Sequence, residues 1–266
     1  MVGTADEGRA APVTPRRATR LAGIADAVQA AGRLDVEELA DRLGLSRSSV
    51  RRDLAVLERR GLVRRVHGGA GARARAELPV RYRDTRHPEA KARIAAACVE
   101  ALPHRPMTLA VSGGTTTTEV ARRLVGRSGL TVVTNAMNIA VELAAHPGIR
   151  VVVAGGTMRP ESYEAVGPMT DRFVEGLALA VTVMGVDGIS AAGGLTTHDP
   201  AEARTDRGLA ERTQRLVVVA DSSKVGRVTA APILPASRAA LLVTDVGAPA
   251  AEVERLRQAG VEVLLV

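Results

Sequence analysis

Two patterns in this 266-residue sequence carry residue types that can do chemistry. The first is SRSSVRRDL, where Ser46, Arg47, Ser48, Ser49, Arg51 and Arg52 surround the apolar Val50 and Leu54. A guanidinium can donate two hydrogen bonds to guanine O6 and N7, or pair with a phosphate. A serine hydroxyl can serve a phosphate or a base edge. Arg64, Arg65 and His67 follow closely. The second pattern is a series of small polar and glycine residues, each set after an apolar run. These are Ser112-Gly113-Gly114-Thr115-Thr116, Thr134-Asn135, Gly155-Gly156, Asp187-Gly188, Asp221-Ser222-Ser223-Lys224 and Thr244-Asp245. Glycines let the backbone approach a ligand, and threonines that open a helix leave free N–H groups for an anion. Lys224 can supply positive charge, and Asp187, Glu202 or Asp221 can accept from hydroxyls. A phosphorylated sugar or polyol suits that mixture. Each motif alone is what an ordinary turn or helix cap looks like; their repetition at one end of a sheet points to a shared site.

The elements around the first pattern read as three helices and a hairpin. Leu21, Ile24 and Val28 share one face of a helix from about Arg16 to Ala31, which Gly32 ends. Asp35 and Glu38 form a capping-box pattern for VEELADRL, Gly44 breaks that helix, and Ser46 caps the next. Val50, Leu54 and Leu57 give this last helix its apolar stripe, and Gly61 stops it. GLVRRVHGG reads as a short hairpin. Two helices joined by a glycine-containing turn make a helix-turn-helix, whose second helix enters the major groove with its N-terminal residues against base edges. The hairpin then serves as a wing on the backbone or minor groove, with His67 contacting DNA or packing the wing. Asp53 is out of place on such a helix: it either holds a neighbouring arginine or points away from DNA.

Residues 1–15 are expected as a disordered tail, 16–71 as the winged helix-turn-helix, 72–88 as an arginine-rich linker, and 89–266 as a second, α/β domain. The apolar runs at 107–111, 130–134, 149–154, 179–186, 215–220, 239–244 and 261–266 are mostly unbroken and Val-rich, as strands covered on both faces should be. Helical stretches alternate with them, so the sheet is expected to be mainly parallel. In such sheets ligands sit outside the carboxyl ends of the strands, where the second pattern falls.

Charge supports the division. The chain carries a formal net charge of +7, and residues 1–90 hold 18 arginines against 12 acids. That surplus suits a nucleic-acid partner, although a solvated arginine-rich surface would look the same. The lone Cys98 excludes an intrachain disulfide and a cysteine-based zinc site, and its spacing from Ile94 places it in a core. The five histidines show no metal-ligand spacing; His198 merely lies near the expected pocket. No cofactor is implied. The sequence has neither the apolar run of a signal peptide nor a membrane-spanning stretch, which reads as cytoplasmic.

The stretch from LAGIADAVQ to RRVHGGA resembles the DNA-binding domain of the DeoR family of bacterial transcriptional regulators. The resemblance continues through SGGTTT, VVTNA, VAGGT, GVDGIS, ADSSKVG and LLVTD, in order, over nearly the whole chain after the tail. It implies a winged helix-turn-helix joined to a ribose-5-phosphate-isomerase-like sensor domain, and a repressor of sugar or sugar-alcohol catabolism genes released by a phosphorylated sugar. Two positions depart from the family pattern. Ser112 stands where the family usually has Asp, and Asp206 follows Glu202-Ala203 where a Lys is frequent. The effector is therefore expected to differ from the usual one or to bind weakly.

Two rival functions remain. One is a sugar-phosphate isomerase carrying a DNA-binding arm. Such isomerases place carboxylates just after Asp-Gly, whereas here Ile189 and Ser190 follow Gly188. The other is an architectural DNA binder without sequence preference. The favoured reading is a repressor that binds double-stranded operator DNA as a homo-oligomer, because specific regulators pair their reading helices through symmetry.

Overall fold

The computed structural model describes residues 15–73, 77, 79–84 and 86–266. Residues 1–14 of the expected tail, and 74–76, 78 and 85 of the expected linker, lie outside the described residues. The chain divides into two compact units, Met1–Arg86 and His87–Val266.

In the first unit, α1 (Pro15–Ala31), β1 (Arg33–Asp35), α2 (Val36–Leu43) and α3 (Arg47–Arg59) precede a hairpin of β2 (Val63–Val66) and β3 (Gly69–Ala72). β1 pairs antiparallel with β3, giving the order β1-β3-β2. The Asp35 carboxylate accepts from Glu38 N, and the Glu38 carboxylate accepts from Asp35 N, so both halves of the capping box are present. Gly44 closes α2 at φ 60°, in the left-handed region that a glycine enters without steric cost. Leu21, Ile24 and Val28 of α1 meet Leu39, Val50, Leu54, Leu57 and Val63 in one buried core. A short helix α4 (Val80–Arg83), inside the stretch expected as linker, adds fully buried Tyr82 to that core, with the Arg60 guanidinium 5.4 Å from its ring centroid. The composition there is loop-like, but one aromatic ring is enough to anchor a turn.

The second unit opens with α5 (Pro88–Ala101) and then alternates: β4 (Met107–Val111), α6 (Thr115–Leu124), β5 (Leu130–Thr134), α7 (Met137–Ala144) and β6 (Ile149–Val153). A two-residue hairpin, β7 (Thr157–Met158) with β8 (Ala165–Val166), leads to α8 (Pro168–Glu175). Next come β9 (Leu179–Gly185), β10 (Gly188–Ser190), β11 (Gly194–Thr197), α9 (Pro200–Glu211), β12 (Thr213–Val219) and β13 (Ala231–Leu234). The chain ends with β14 (Leu241–Thr244), α10 (Ala250–Gln258) and β15 (Glu262–Leu265). Seven strands form one fully parallel sheet in the order β15-β14-β12-β9-β4-β5-β6, and all seven apolar runs supply one of them.

Both faces of the sheet are covered, as those runs require. Leu109, Val132, Val183, Val217 and Val243 pack on α5, α6 and α7. Their neighbours Leu216, Val218 and Leu242 pack on α9, α10 and the antiparallel group β10-β11-β13, while Ala110 and Val133 pack on α8 and α9. Cys98 is fully buried in the first of these layers, and burial pushes its thiol up to about 12. Among the described residues no helix is long and apolar enough to cross a membrane. Because every sheet strand runs the same way, the segments after β4, β5, β9 and β12 emerge along one edge.

Candidate functional site

In the first unit the Ser46 side chain caps α3 by accepting from Ser49 N at 3.2 Å. Val50, Leu54 and Leu57 turn inward, while Arg47, Ser48, Arg51 and Arg52 are exposed and Ser49 is half-buried. Arg47 pairs with Glu37 of α2 at 3.4 Å, and Arg52 reaches back to Ser48 O and Ser49 Oγ, both at 3.4 Å. Arg65 of the hairpin donates to Arg51 O at 3.5 Å, tying wing to helix. His67 is exposed, and its carbonyl accepts from Arg33 at 3.4 Å. The side chains of Arg51 and Arg64 are exposed and have no hydrogen-bond or ion-pair partner among the described residues. Asp53 points away from this surface: it is 1% exposed and binds Arg20 of α1 through Nε at 2.5 Å and Nη2 at 3.2 Å. The arginine it holds is thus on α1, not on its own helix.

In the second unit the ends of β4, β5 and β9 converge with the β7–β8 hairpin and the start of α9. Ser112 is buried after β4, and its hydroxyl accepts from Gly185 N at 3.1 Å, closing the ends of β4 and β9 together. Gly113 N donates to Glu164 Oε1 at 2.9 Å, and a Cβ on Gly113 would lie 2.2 Å from Glu164 Cδ, so only glycine fits. Asn135 after β5 donates to the same Oε1 at 3.3 Å and to Ala165 O at 3.1 Å, while its own Oδ1 is buried with no hydrogen-bond partner among the described residues. Asp187 after β9 pairs with Lys224 at 3.5 Å. Thr197 Oγ1 lies 3.1 Å from Asp187 Oδ2 and 2.8 Å from Glu202 Oε1, so one hydroxyl hydrogen serves two carboxyl groups. Arg159, brought in by the hairpin, pairs with Glu202, with Asp199 at 3.5 Å, and with Ser162 Oγ at 3.1 Å. Asp206 stands one helical turn beyond Glu202 and is 2% exposed. Burial first, then the charges of Glu164 and Asp187, hold its carboxyl well above the usual carboxylate range, with Arg159 acting the other way.

Other expected residues serve more local roles. Gly114 precedes α6 with no side-chain cap; Thr115 there is half-buried and Thr116 buried. Thr117 and Thr118 hydroxyls turn back to Gly114 O at 3.0 and 2.6 Å, leaving the helix opening to the backbone N–H groups. Gly155 and Gly156 follow β6 at the sheet's rim and are exposed, with Gly155 O accepting from Thr170 at 2.8 Å. Asp221 caps its own turn, accepting from Ser223 N at 3.1 Å. A separate cleft of about 500 Å³ between α8 and α9, lined by Asp171, Arg172, Arg204, Arg207 and Glu211 among others, holds none of the expected site residues. Sequence reading did not find Glu164 or Arg159. They lie in the loop between two strands of two residues each, Arg159 just after β7 and Glu164 just before β8, where no alternation can show.

A winged helix-turn-helix with an exposed arginine face, followed by a parallel α/β unit with a buried polar cluster at its strand ends, defines a regulator that combines a DNA reader with a sensor. Residues 20–75 match the DeoR-like helix-turn-helix domain and residues 86–246 the DeoR C-terminal sensor domain. The chain belongs to the DeoR family of DNA-binding transcriptional regulators. It is 34% identical to the HTH-type transcriptional regulator GlpR of Haloferax volcanii, over 86% of this chain and 90% of that one. It is 34% identical to the glycerol-3-phosphate regulon repressor of Escherichia coli K12 over 77% and 81%. The HTH-type transcriptional repressor CsqR of the same organism is 32% identical over 88% and 90%. The ribose 5-phosphate isomerase A of Methanocaldococcus jannaschii superposes on 52% of this chain and 54% of its own, with 13% identity and a TM-score of 0.39.

Proposed function

We propose that this regulator is a repressor of genes for sugar or sugar-alcohol catabolism, released from its operator by a phosphorylated sugar or polyol bound in the second unit. The observation that carries this reading is the opening of α6. It has no side-chain cap after Gly114, it follows a glycine pressed against Glu164, and it lies on the same sheet edge as Lys224 and a set of buried hydroxyl acceptors. Free N–H groups at a helix start suit a phosphate, and the carboxylates suit hydroxyls. The names of the relatives point the same way, one being a repressor of a glycerol-3-phosphate regulon. The isomerase alternative is not favoured, since the relatives are transcriptional regulators.

The ligand shifts DNA affinity only through unequal affinity for two conformations, and typical couplings amount to roughly 5–150-fold. The test is an operator-binding titration at fixed salt, using DNA upstream of the chain's own gene and a panel of phosphorylated sugars and polyols. One phosphorylated compound should release the operator where its unphosphorylated parent does not. Thr115→Val should bind operator like the parent protein and resist release. Release by unphosphorylated sugars, or none by any phosphorylated one, would sink the reading.

A further inference from the structure

The cleft of about 500 Å³ between α8 and α9 has a charged lining with an order of its own. Thr205 Oγ1 donates to Asp171 Oδ1 at 3.0 Å, and a Cβ on Gly208 would lie 3.1 Å from Val174 Cγ1. Three residues along α8 thus match three along α9, so the two helices run side by side in the same direction. Arg172 and Glu175 stand one turn apart on α8, Arg204 and Glu211 two turns apart on α9, and each pair shares one face of its helix. All four side chains are exposed and line the cleft, and none has a hydrogen-bond or ion-pair partner among the described residues. Two other charges of the cleft are engaged: Asp171 with Thr205, and Arg207 with the carbonyls of Ile233 at 2.8 Å and Pro232 at 3.1 Å. Arg212, also without a partner, stands just past the end of α9.

The four unpaired charges are arranged about one point. Along α8 the midpoint of Arg172 and Glu175 falls between Phe173 and Val174; along α9 the midpoint of Arg204 and Glu211 falls between Arg207 and Gly208. These midpoints share one level, because Val174 and Gly208 meet. On both helices the arginine comes before the glutamate. A two-fold axis lying across the helices at that level reverses their direction and sets α8 against α8, and α9 against α9, of a second copy. Arg172 then faces the second copy's Glu175, and Arg204 its Glu211, so four pairs form at once. We propose that this α8–α9 face is a self-complementary interface between two copies of the chain, with those pairs fixing its register. A small anion would answer the arginines and leave the glutamates, and a small cation the reverse; a second copy answers both. Charges of a merely solvated face need share no centre. Pairs of this kind set partner and register more than strength. The proposal does not rest on the sugar-phosphate reading.

The test is sedimentation equilibrium of the full chain, without DNA, at a series of salt concentrations. Two double variants are compared with the parent. Arg172→Glu with Arg204→Glu makes the four positions all acidic, and Glu175→Arg with Glu211→Arg makes them all basic. The parent should self-associate, and less tightly as salt rises. Each double variant should lose this association by a factor of about ten or more, because like charges then face each other. Mixed in equal amounts, with a fluorophore on one of them, the two variants should form a one-to-one pair, since every opposite-charge contact is restored. That recovery also shows both variants to be folded. A parent that stays monomeric, a double variant that associates like the parent, or two variants that unfold at the parent's midpoint yet do not combine overturns the proposal. Should a double variant fail to fold, Arg204→Ala decides: association weaker than the parent's supports the interface, and unchanged association overturns it.

Discussion

Asp53 of α3 and Arg20 of α1 are joined by two hydrogen bonds, Nε to Oδ2 at 2.5 Å and Nη2 to Oδ1 at 3.2 Å. Arg17 adds a longer contact at 3.8 Å. The planar guanidinium fork fixes the orientation of α3 as well as its position. Asp53 sits one residue past Arg52, so its inward pull turns the preceding arginines outward. It orients the exposed arginine face of α3 without belonging to it. Asp53→Ala should lower the stability of the first unit, and Arg20→Ala should do the same. Arg20 is 35% exposed, so water takes over part of its charge, and a loss of about 1–3 kcal/mol is expected instead of the larger cost of a fully buried pair. Chemical denaturation of both variants and the double variant checks this. Losses that simply add would show the pair to be uncoupled.

Arg51 and Arg65 should separate two kinds of DNA contact. Arg51 is exposed on the first turns of α3 with no intramolecular partner, which leaves its fork free for a base edge. Arg65 braces the hairpin against Arg51 O at 3.5 Å, and its charge would suit a phosphate. Arg51→Ala should weaken operator binding by about 1–3 kcal/mol and relax sequence preference at one position. Arg65→Ala should weaken all sequences alike and reduce the salt slope by roughly one. Binding titrations across salt and across operator variants distinguish them. If Arg51→Ala bound the operator like the parent, α3 would not be reading bases through that residue.

Gly113 gives a test of packing at the proposed effector site. A methyl group there would meet Glu164 Cδ at 2.2 Å and Cγ at 2.4 Å, and would disturb the 2.9 Å bond from Gly113 N. Overpacking of this kind costs about 1–3 kcal/mol. Gly113→Ala should therefore melt at a lower temperature and lose its response to effector, while the first unit, which does not contain Gly113, still binds operator. A variant as stable and as responsive as the parent would show that Glu164 is free to move.

What the sequence disclosed follows from which signals are local. The capping box at Asp35 and Glu38, the Ser46 cap and the Val-rich strands are set by neighbours in the chain, and each appears where its pattern places it. Asp53 was legible as an anomaly but not in its outcome, since its partner Arg20 is 33 residues away. Glu164 reaches Gly113 across 51 residues, and Arg159 reaches Glu202 across 43. Contacts at that range leave no spacing to read. Asp206 drew notice as a departure from a family pattern; its burial and open Oδ1 come only from the packing of α9.

Asp206 makes the stability of the effector-free protein depend on pH in a fixed sense. Its folded carboxyl lies well above the usual carboxylate range, because burial and the charges of Glu164 and Asp187 oppose ionisation more than Arg159 favours it. In the unfolded chain the same group ionises near its ordinary value. Between those two values the folded state holds a proton that the unfolded state has lost, so unfolding stability falls as pH rises through the interval. Below the unfolded value the group is protonated in both states and contributes no penalty. Asp206→Asn removes the ionisation and keeps the shape. The variant should therefore be more stable than the parent at neutral pH, with the gap closing as pH falls toward the ordinary carboxylate range. Denaturation midpoints of both proteins, measured without ligand at a series of pH values, give the comparison directly. A gap that stays constant with pH, or a variant less stable than the parent at neutral pH, would mean that the Asp206 carboxyl is matched in the folded protein.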